Sequence, residues 1–537
     1  MPNEKGKVKT VLSKIWDYIE GTHGLILIIY TSLVLSTQAF LNKQGKYLLR
    51  WIFLAVVFSV IVCPLFLKLA KKIRIKLNYS NTTKVERKYK ILFFLIPFAV
   101  LFVMYLIHYP GGFVSDTISQ YYQVLDNKYT DWHPVIQTFL TFTVPYKLTG
   151  GWIGSIILFQ IIIFSIAIAY SLCTITKYVS VKYAVVSMIF ILIYPGTVVF
   201  GICPIKDTPF GIGALVLMTY AFQIYMTKGA WIQKIGNCAL FIIVLALTTL
   251  FRHNAILFTI PLLFAVFFFM QKKRTFVIIC IGVIALVVGV KYPIYNAFNV
   301  EKPDQRQVET LGVPLNVISS VVKYSPEKAD KETKEFVYKI APKNVFEKYY
   351  KYGDFNSVKY NLEYCDLDII EKFGTKKILS IALKSTIASP KEAIKGAIKT
   401  TNTAYTLTDN YKFDYYPRVS KNTVNLRQTG FPILKEWTYH LRTLISLLFP
   451  HIFLYIGAMH LILIISILAK FKLRNWKSWK RIFFILPVFA YNYISALLLT
   501  YYGEGDRYFW YIFILMPMLL LFVYGYNAKK EEYQEEK

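Results

Sequence analysis

The chain has 537 residues, of which 55% are hydrophobic and 17% aromatic, with a mean hydropathy of +0.43 and a formal net charge of +31. Soluble domains carry about 25% charged residues; here the fraction is 17%, clustered between long apolar runs, which excludes an ordinary soluble fold and defines a polytopic membrane protein. Nucleic-acid binding is disfavoured too, because the basic blocks lie in short loops rather than on a polar domain.

The N-terminus is a polar, lysine-bearing tail with no cleavable signal pattern, and the first apolar run is long enough to stay in a bilayer. A bilayer core needs about 20 apolar residues per helix. That length predicts an all-α protein with about twelve transmembrane helices, near 24–41, 51–70, 91–108, 151–175, 183–202, 208–227, 236–251, 255–271, 275–291, 442–469, 482–500 and 508–526. The strongest basic loop, Lys71 to Lys90, belongs on the cytoplasmic side. Counting from it puts Lys177 and Lys182, Lys228 and Lys234, Lys272 to Arg274, Lys470 to Arg481 and both termini on that side as well. One short loop with Lys43, Lys46 and Arg50 falls outside against the rule.

The same count gathers five segments on the outer face: 109–150, Pro204 to Thr208, Arg252 to Asn254, 292–440, and Gly503 to Arg507. Region 292–440 holds 17 of the 31 acidic residues, as befits a soluble domain. Apolar spacing predicts helices over Lys331 to Tyr352 and Lys376 to Thr400, and Ser389-Pro390 marks a helix start. The chain thus divides into 1–90 (tail, two additional spans and the basic loop), 91–291 (a transmembrane module with outer loop 109–150), 292–440 (a mostly helical outer domain) and 441–537 (final spans and tail). The six cysteines are scattered, without a C-x-x-C pair, so neither a metal site nor a disulfide framework is indicated.

The chemistry-bearing residues sit in short polar turns. Asp116, eight residues past the span ending at His108, is suited to general-base work on a hydroxyl, or else caps a helix together with Ser115. Gln120 follows one turn later. In Asp131-Trp132-His133-Pro134, Trp132 reads as an interfacial anchor, while an imidazole near its pKa can both donate to and accept from a phosphate or sugar hydroxyl. Lys206-Asp207 either faces water and caps the next helix, or binds an anionic head group with Asp207 steadying Lys206. Arg252-His253-Asn254 joins two spans with almost no loop, and a cation there opposes the orientation rule, which favours a functional role. Arg507, in GEGDRYFW, raises the same question; Glu504 and Asp506 either neutralise it or share one site with it.

Together the motifs PGGFVSDTISQ, DWHP, KDTPF, RHN and GDRY resemble a bacterial family of membrane proteins of GT-C character, within the superfamily of membrane glycosyltransferases that draw sugars from polyprenyl-phosphate carriers. The resemblance spans most of residues 91–526 and is strong in these short motifs. It implies Asp116 as base; His133 and Asp131 join it as catalytic candidates on the reading of their own motif. Lys206, Arg252 and Arg507 would hold the lipid phosphate, and Gln120, Asp207, His253, Asn254 and Glu504 would complete the substrate site. Many GT-C enzymes bind a divalent cation at a paired acidic motif, so such a cation is a candidate cofactor; here the loop offers Ser115-Asp116, with Asp126 and Asp131 further on.

The expected partners are a polyprenyl-phosphate-linked sugar, a cell-envelope glycan or wall-polymer acceptor, and the bilayer of a bacterial plasma membrane. Positioning of the acceptor behind the anomeric carbon, and fixed cations for the departing phosphate, would carry the reaction with inversion. The rival readings are a transporter or flippase of lipid-linked saccharides, which would place its site near the midplane between repeated halves, and a non-catalytic protein whose outer domain binds wall polymers.

Overall fold

The computed structural model describes residues 13–43, 45–78, 84–302, 307–361, 363–407, 417–449, 455–471, 480–498 and 505–526. The only strands among them are the two-residue segments Ile75–Lys76 and Gly525–Tyr526, paired in parallel; everything else that is regular is helical. Among the described residues, seven helices are long and apolar enough to cross a membrane, eight if one bent pair counts as a span, and four shorter apolar helices accompany them. The chain is an all-α, polytopic membrane protein.

Hydropathy and position in the bundle run in opposite senses. Asp207–Met226 has the lowest mean hydropathy of the seven, 1.4, yet is the most buried, followed by Arg507–Tyr524. Gly45–Lys72, at 2.6, is largely exposed. Lipid selects the most apolar surfaces, whereas the bundle interior admits small and weakly polar residues that let helices approach closely. Gly211 accordingly lies against Trp510 and Tyr511, and Gly213 against Thr248; a side chain at either position would collide. The N-terminal helices Gly21–Asn42 and Gly45–Lys72 pack on each other and on Ile456–Lys470, at the edge of the bundle.

Two expected spans are broken. The run 183–202 is two helices, Val181–Ile193 and Pro195–Gly201, bent by 70°. Proline lacks the N–H that would continue the ladder and forces its predecessor to extend; Tyr194 has ψ 117°. The run 442–469 divides between Pro432–Leu448, which ends before a non-helical Phe449, and Ile456–Lys470, which begins after an extended Tyr455.

Among the described residues, parts of the two sets of loops meet at separate ends of the bundle. At one end Asn78 N donates to Tyr178 O (2.7 Å), Lys470 Nζ to Lys71 O (2.7 Å) and Arg481 Nη1 to Gly525 O (2.7 Å). At the other end Gly112 N donates to Ile202 O (2.9 Å), Asp131 N to Glu301 O (2.9 Å) and Ser420 N to Phe113 O (2.8 Å).

Residues 308–397 contain a second hydrophobic core, distinct from that of the bundle. Its helices are Gly312–Tyr324, Lys331–Ile340, Lys343–Tyr349, Asp368–Ala388 and Pro390–Thr401. The expected helix from Lys331 to Tyr352 breaks at Ala341-Pro342, for the same reason as at Pro195. Asp330 caps its first half, its carboxylate accepting from Thr333 N at 2.7 Å. The expected helix from Lys376 to Thr400 is likewise two, with Ser389 between them and Pro390 in the first turn as anticipated, although the Ser389 side chain makes no capping bond. Gly396 is in such close contact with Asn316 O and Ser320 that no larger residue fits.

Candidate functional site

The site begins with two glycines. Gly111 has φ +114°, and a β-carbon there would strike the Ile202 carbonyl and Ile157. One at Gly112 would strike the Cys203 sulfur. Without side chains, this turn lies flat on the 202–203 loop, so the helix Ser115–Asp126 starts beside Lys206. Asp116 is not a cap: its helix opens after Val114 without any side-chain capping bond. Its Oδ2 instead accepts from Arg507 Nη2 at 3.0 Å and stands 4.0 Å from Lys206 Nζ. Burial alone would raise the Asp116 pKa, but Arg507 and Lys206 outweigh it and hold the carboxyl well below the usual carboxylate range.

Lys206 also reaches His133, with Nζ 3.2 Å from Nδ1. An ammonium can only donate, so Nδ1 is the acceptor and the proton of the neutral ring is on Nε2. Burial, then the Lys206 charge, push the His133 pKa down to about 3. The expectation of an imidazole titrating near neutrality is therefore corrected: His133 is a fixed neutral acceptor. Burial pulls Lys206 down to about 8, with Asp116 opposing and Arg507 and Arg252 reinforcing the fall.

Asp207 points the other way. It starts the helix Asp207–Met226, is 1% exposed, and forms an ion pair with Arg252, itself 3% exposed. The water-facing reading of Lys206-Asp207 is thereby excluded. Arg507 Nε lies 3.8 Å from Asp207 Oδ2, so one guanidinium bridges Asp116 and Asp207. Arg252 Nε donates to Asn254 Oδ1 at 2.8 Å, and Asn254 Nδ2 donates to Ser495 Oγ at 2.8 Å. The Arg252 guanidinium also lies over the Tyr508 ring, 4.4 Å from its centroid. Burial lowers the pKa of Arg252, a direction that leaves a guanidinium charged at neutral pH.

Asp131 and His253 form a neighbouring pair, His253 Nε2 being 3.9 Å from Asp131 Oδ1, which also takes the Tyr295 hydroxyl. Parallel bridging of Thr130 with Glu301 fixes that wall. Gln120 shares a helix face with Asp116, but its amide is engaged by Gln137 Oε1 (2.5 Å) and Thr138 Oγ1 (2.7 Å), which makes it a brace of the first loop. Glu504 and the side chain of Asp506 lie outside the described residues.

Sequence reasoning missed Tyr508, Tyr491 and Ser495 around Arg252, and the outer-domain pair Glu309–Lys359 (2.5 Å), whose Glu309 acts on the charge of Lys206. Tyr508 follows Arg507 directly, but in a chain with 41 tyrosines it carries no signal of its own.

Among the described residues, Lys206, Arg252 and Arg507 face the two carboxylates Asp116 and Asp207, which leaves a surplus of positive charge able to accept a phosphate. Each carboxylate is already held by a cationic side chain. No group of three or more His, Cys, Asp or Glu among the described residues is placed to hold a metal ion, and this donor set does not fit the divalent cation of the acidic-motif enzymes. Compared with known proteins, the chain matches no family model, no curated protein and no solved structure.

Proposed function

We propose that the chain is a GT-C-type membrane glycosyltransferase of the bacterial plasma membrane. It would move a sugar from a polyprenyl-phosphate carrier to an acceptor of the cell envelope. In this reading all twelve apolar segments enter the bilayer, both termini are cytoplasmic, and the Asp116 cluster faces outward. The observation that carries it is the meeting of Asp116, Lys206, Asp207, Arg252 and Arg507, drawn from four separate turns, in one cationic cluster.

The chemistry follows from the pairing. The donor phosphodiester is an anion that competes with Asp116 for Arg507 and Lys206. As it takes those cations, the charges that depress Asp116 are drawn away and its basicity recovers. The acceptor oxygen forms a bond to the anomeric carbon while the bond from that carbon to the phosphate oxygen breaks, its electron pair going to the phosphate. The acceptor proton goes to Asp116, and the second negative charge on the departing phosphate is met by Arg507 and Lys206. Attack from the face opposite the phosphate inverts the anomeric centre. Arg252 keeps Asp207 in place behind Arg507, and His133, neutral, orients the Lys206 ammonium.

The test is a deletion strain complemented by the wild type or by Asp116→Asn, with mass analysis of envelope glycans and wall polymers. Loss of one sugar increment with Asp116→Asn present at wild-type abundance is the expected result; an unchanged glycan profile would favour a transporter or a binding protein.

A further inference from the structure

The helix Pro432–Leu448 is built inside out for a water-facing element. Ile433, Trp437, Leu441, Leu444 and Leu448 recur at three- and four-residue spacing and form one continuous exposed stripe, with Trp437 71% and Ile433 73% exposed. Part of the polar side turns inward, while Glu436 and His440 stay exposed beside the stripe. Lys435, Thr438 and Arg442 are partly buried, and Thr438 Oγ1 lies 3.2 Å from His108 Nε2. An element bathed in water would do the reverse, so the medium against the stripe is apolar.

Its placement identifies that medium. Gly430 is in contact with the Ile107 carbonyl, and Thr429 N donates to Tyr109 O at 2.9 Å, so the helix starts at the end of the span Arg87–Ile107. Thr438 meets His108 at that same end, and the charges of Lys435 and Arg442, a turn to either side of it, both act on the same ring. A helix running alongside the span would have moved down it over two turns; this one crosses its end. Aromatic Trp437 and Tyr439 with basic Lys435 and Arg442 are the residue types of the interface.

We propose that Pro432–Leu448 lies in the plane of the membrane, with its apolar stripe seated in the lipid of the leaflet next to the Asp116 cluster, and that it sets the depth of the loop carrying Asp116. The mechanical link is the preceding segment, 417–430. It bridges Phe113 through Val419, donates from Thr423 N to the Tyr122 hydroxyl (2.7 Å), and reaches Gly111 O from Gln428 (3.3 Å). A helix that floats at a fixed depth thereby holds both ends of the 109–122 loop at a fixed height above the lipid. This rests on the membrane reading of the bundle and not on glycosyl transfer.

The experiment moves one tryptophan along the stripe. The full chain carrying Trp437→Phe, alone or with Ile433→Trp, Leu441→Trp, Leu444→Trp or Leu448→Trp, is reconstituted in phosphatidylcholine–phosphatidylglycerol vesicles whose lipids are brominated at graded acyl positions. Each fluorescence signal is read as the difference from Trp437→Phe, and Trp437 itself as wild type minus that variant. All five positions are expected to be quenched most by the shallowest bromines, consistent with insertion of about 5–10 Å. Quenching that deepens steadily from position 433 to 448 would make the helix a span and overturn the proposal. Absence of quenching at every position would also overturn it, and would point to a protein cover such as a second copy.

Discussion

Arg252 and Asp207 offer the sharpest energetic test of the site. Both are almost fully buried and form one ion pair, with Arg507 3.8 Å from the second oxygen of Asp207. Arg252→Ala leaves the Asp207 carboxylate buried with its nearest cation gone, and removing one partner of such a pair costs about 3–5 kcal/mol. That is a large part of the total stability of an ordinary domain, roughly 5–15 kcal/mol. Asp207→Ala should cost a similar amount, since it strands the guanidinium against Tyr508 and Tyr491. The double variant Arg252→Met with Asp207→Leu removes both charges, leaves Arg507 its Asp116 partner and Asn254 its bond to Ser495, and should recover most of the loss, because apolar replacement of a buried pair is close to neutral. The assay is membrane abundance together with thermal aggregation of the detergent-solubilised protein, followed by size-exclusion chromatography. The double variant should approach wild-type stability while remaining inactive. Additive losses in the double variant, or full stability in Arg252→Ala, would refute the buried-pair argument.

Other consequences follow from the same geometry. Lys206 titrates at about 8 in the folded protein instead of its ordinary 10.5, so kcat/KM should fall as pH rises through about 8, and Lys206→Arg should move that fall upward. The stability linkage has the opposite sign. Between the folded value and 10.5 the unfolded chain binds the extra proton, so the penalty for burying a charged Lys206 is relieved as pH rises over that window. Gly112→Ala drives a methyl into the Cys203 sulfur and should lift the Asp116 loop, lowering transfer at least tenfold (about 1.4 kcal/mol) with little change in abundance; adding Cys203→Ala should restore part of it, and no rescue would speak against that contact. Treatment of the purified protein with a strong chelator should leave transfer unchanged, since Arg507, Lys206 and Arg252 supply the charge; loss of activity restored by a divalent cation would contradict the donor-set argument.

Much of this arrangement is legible in the sequence because hydropathy fixes the apolar runs and each run reverses the chain. Loops two spans apart must then fall at one end, so the sequence alone groups Asp116, Lys206, Arg252 and Arg507. It does not give their partners. Lys206 and Asp207 are adjacent, yet one turns to Asp116 and His133 and the other to Arg252; the choice depends on how the helix Asp207–Met226 starts, which periodicity does not encode. Whether Asp116 caps its helix or faces Arg507 depends on a residue 391 positions away. The titration of His133 is set by its burial beside an ammonium, a tertiary fact that no local pattern carries. Hydropathy also averages over breaks. It merged the two helices that meet at Pro195, and it ran the amphipathic Pro432–Leu448 into the next apolar segment because both are rich in leucine and isoleucine.

The central claim is that the cluster around Arg507 and Lys206 receives the phosphate of a lipid carrier. It is tested most directly by native mass spectrometry of the purified protein titrated with a polyprenyl phosphate and with the matching polyprenol. Wild type should prefer the phosphate by about tenfold or more, as one or two charge-assisted hydrogen bonds of ~1.5–3 kcal/mol each require, and Arg507→Gln with Lys206→Gln should bind both lipids alike. Equal binding of phosphate and alcohol by the wild type, or a preference that survives the double variant, would contradict the account.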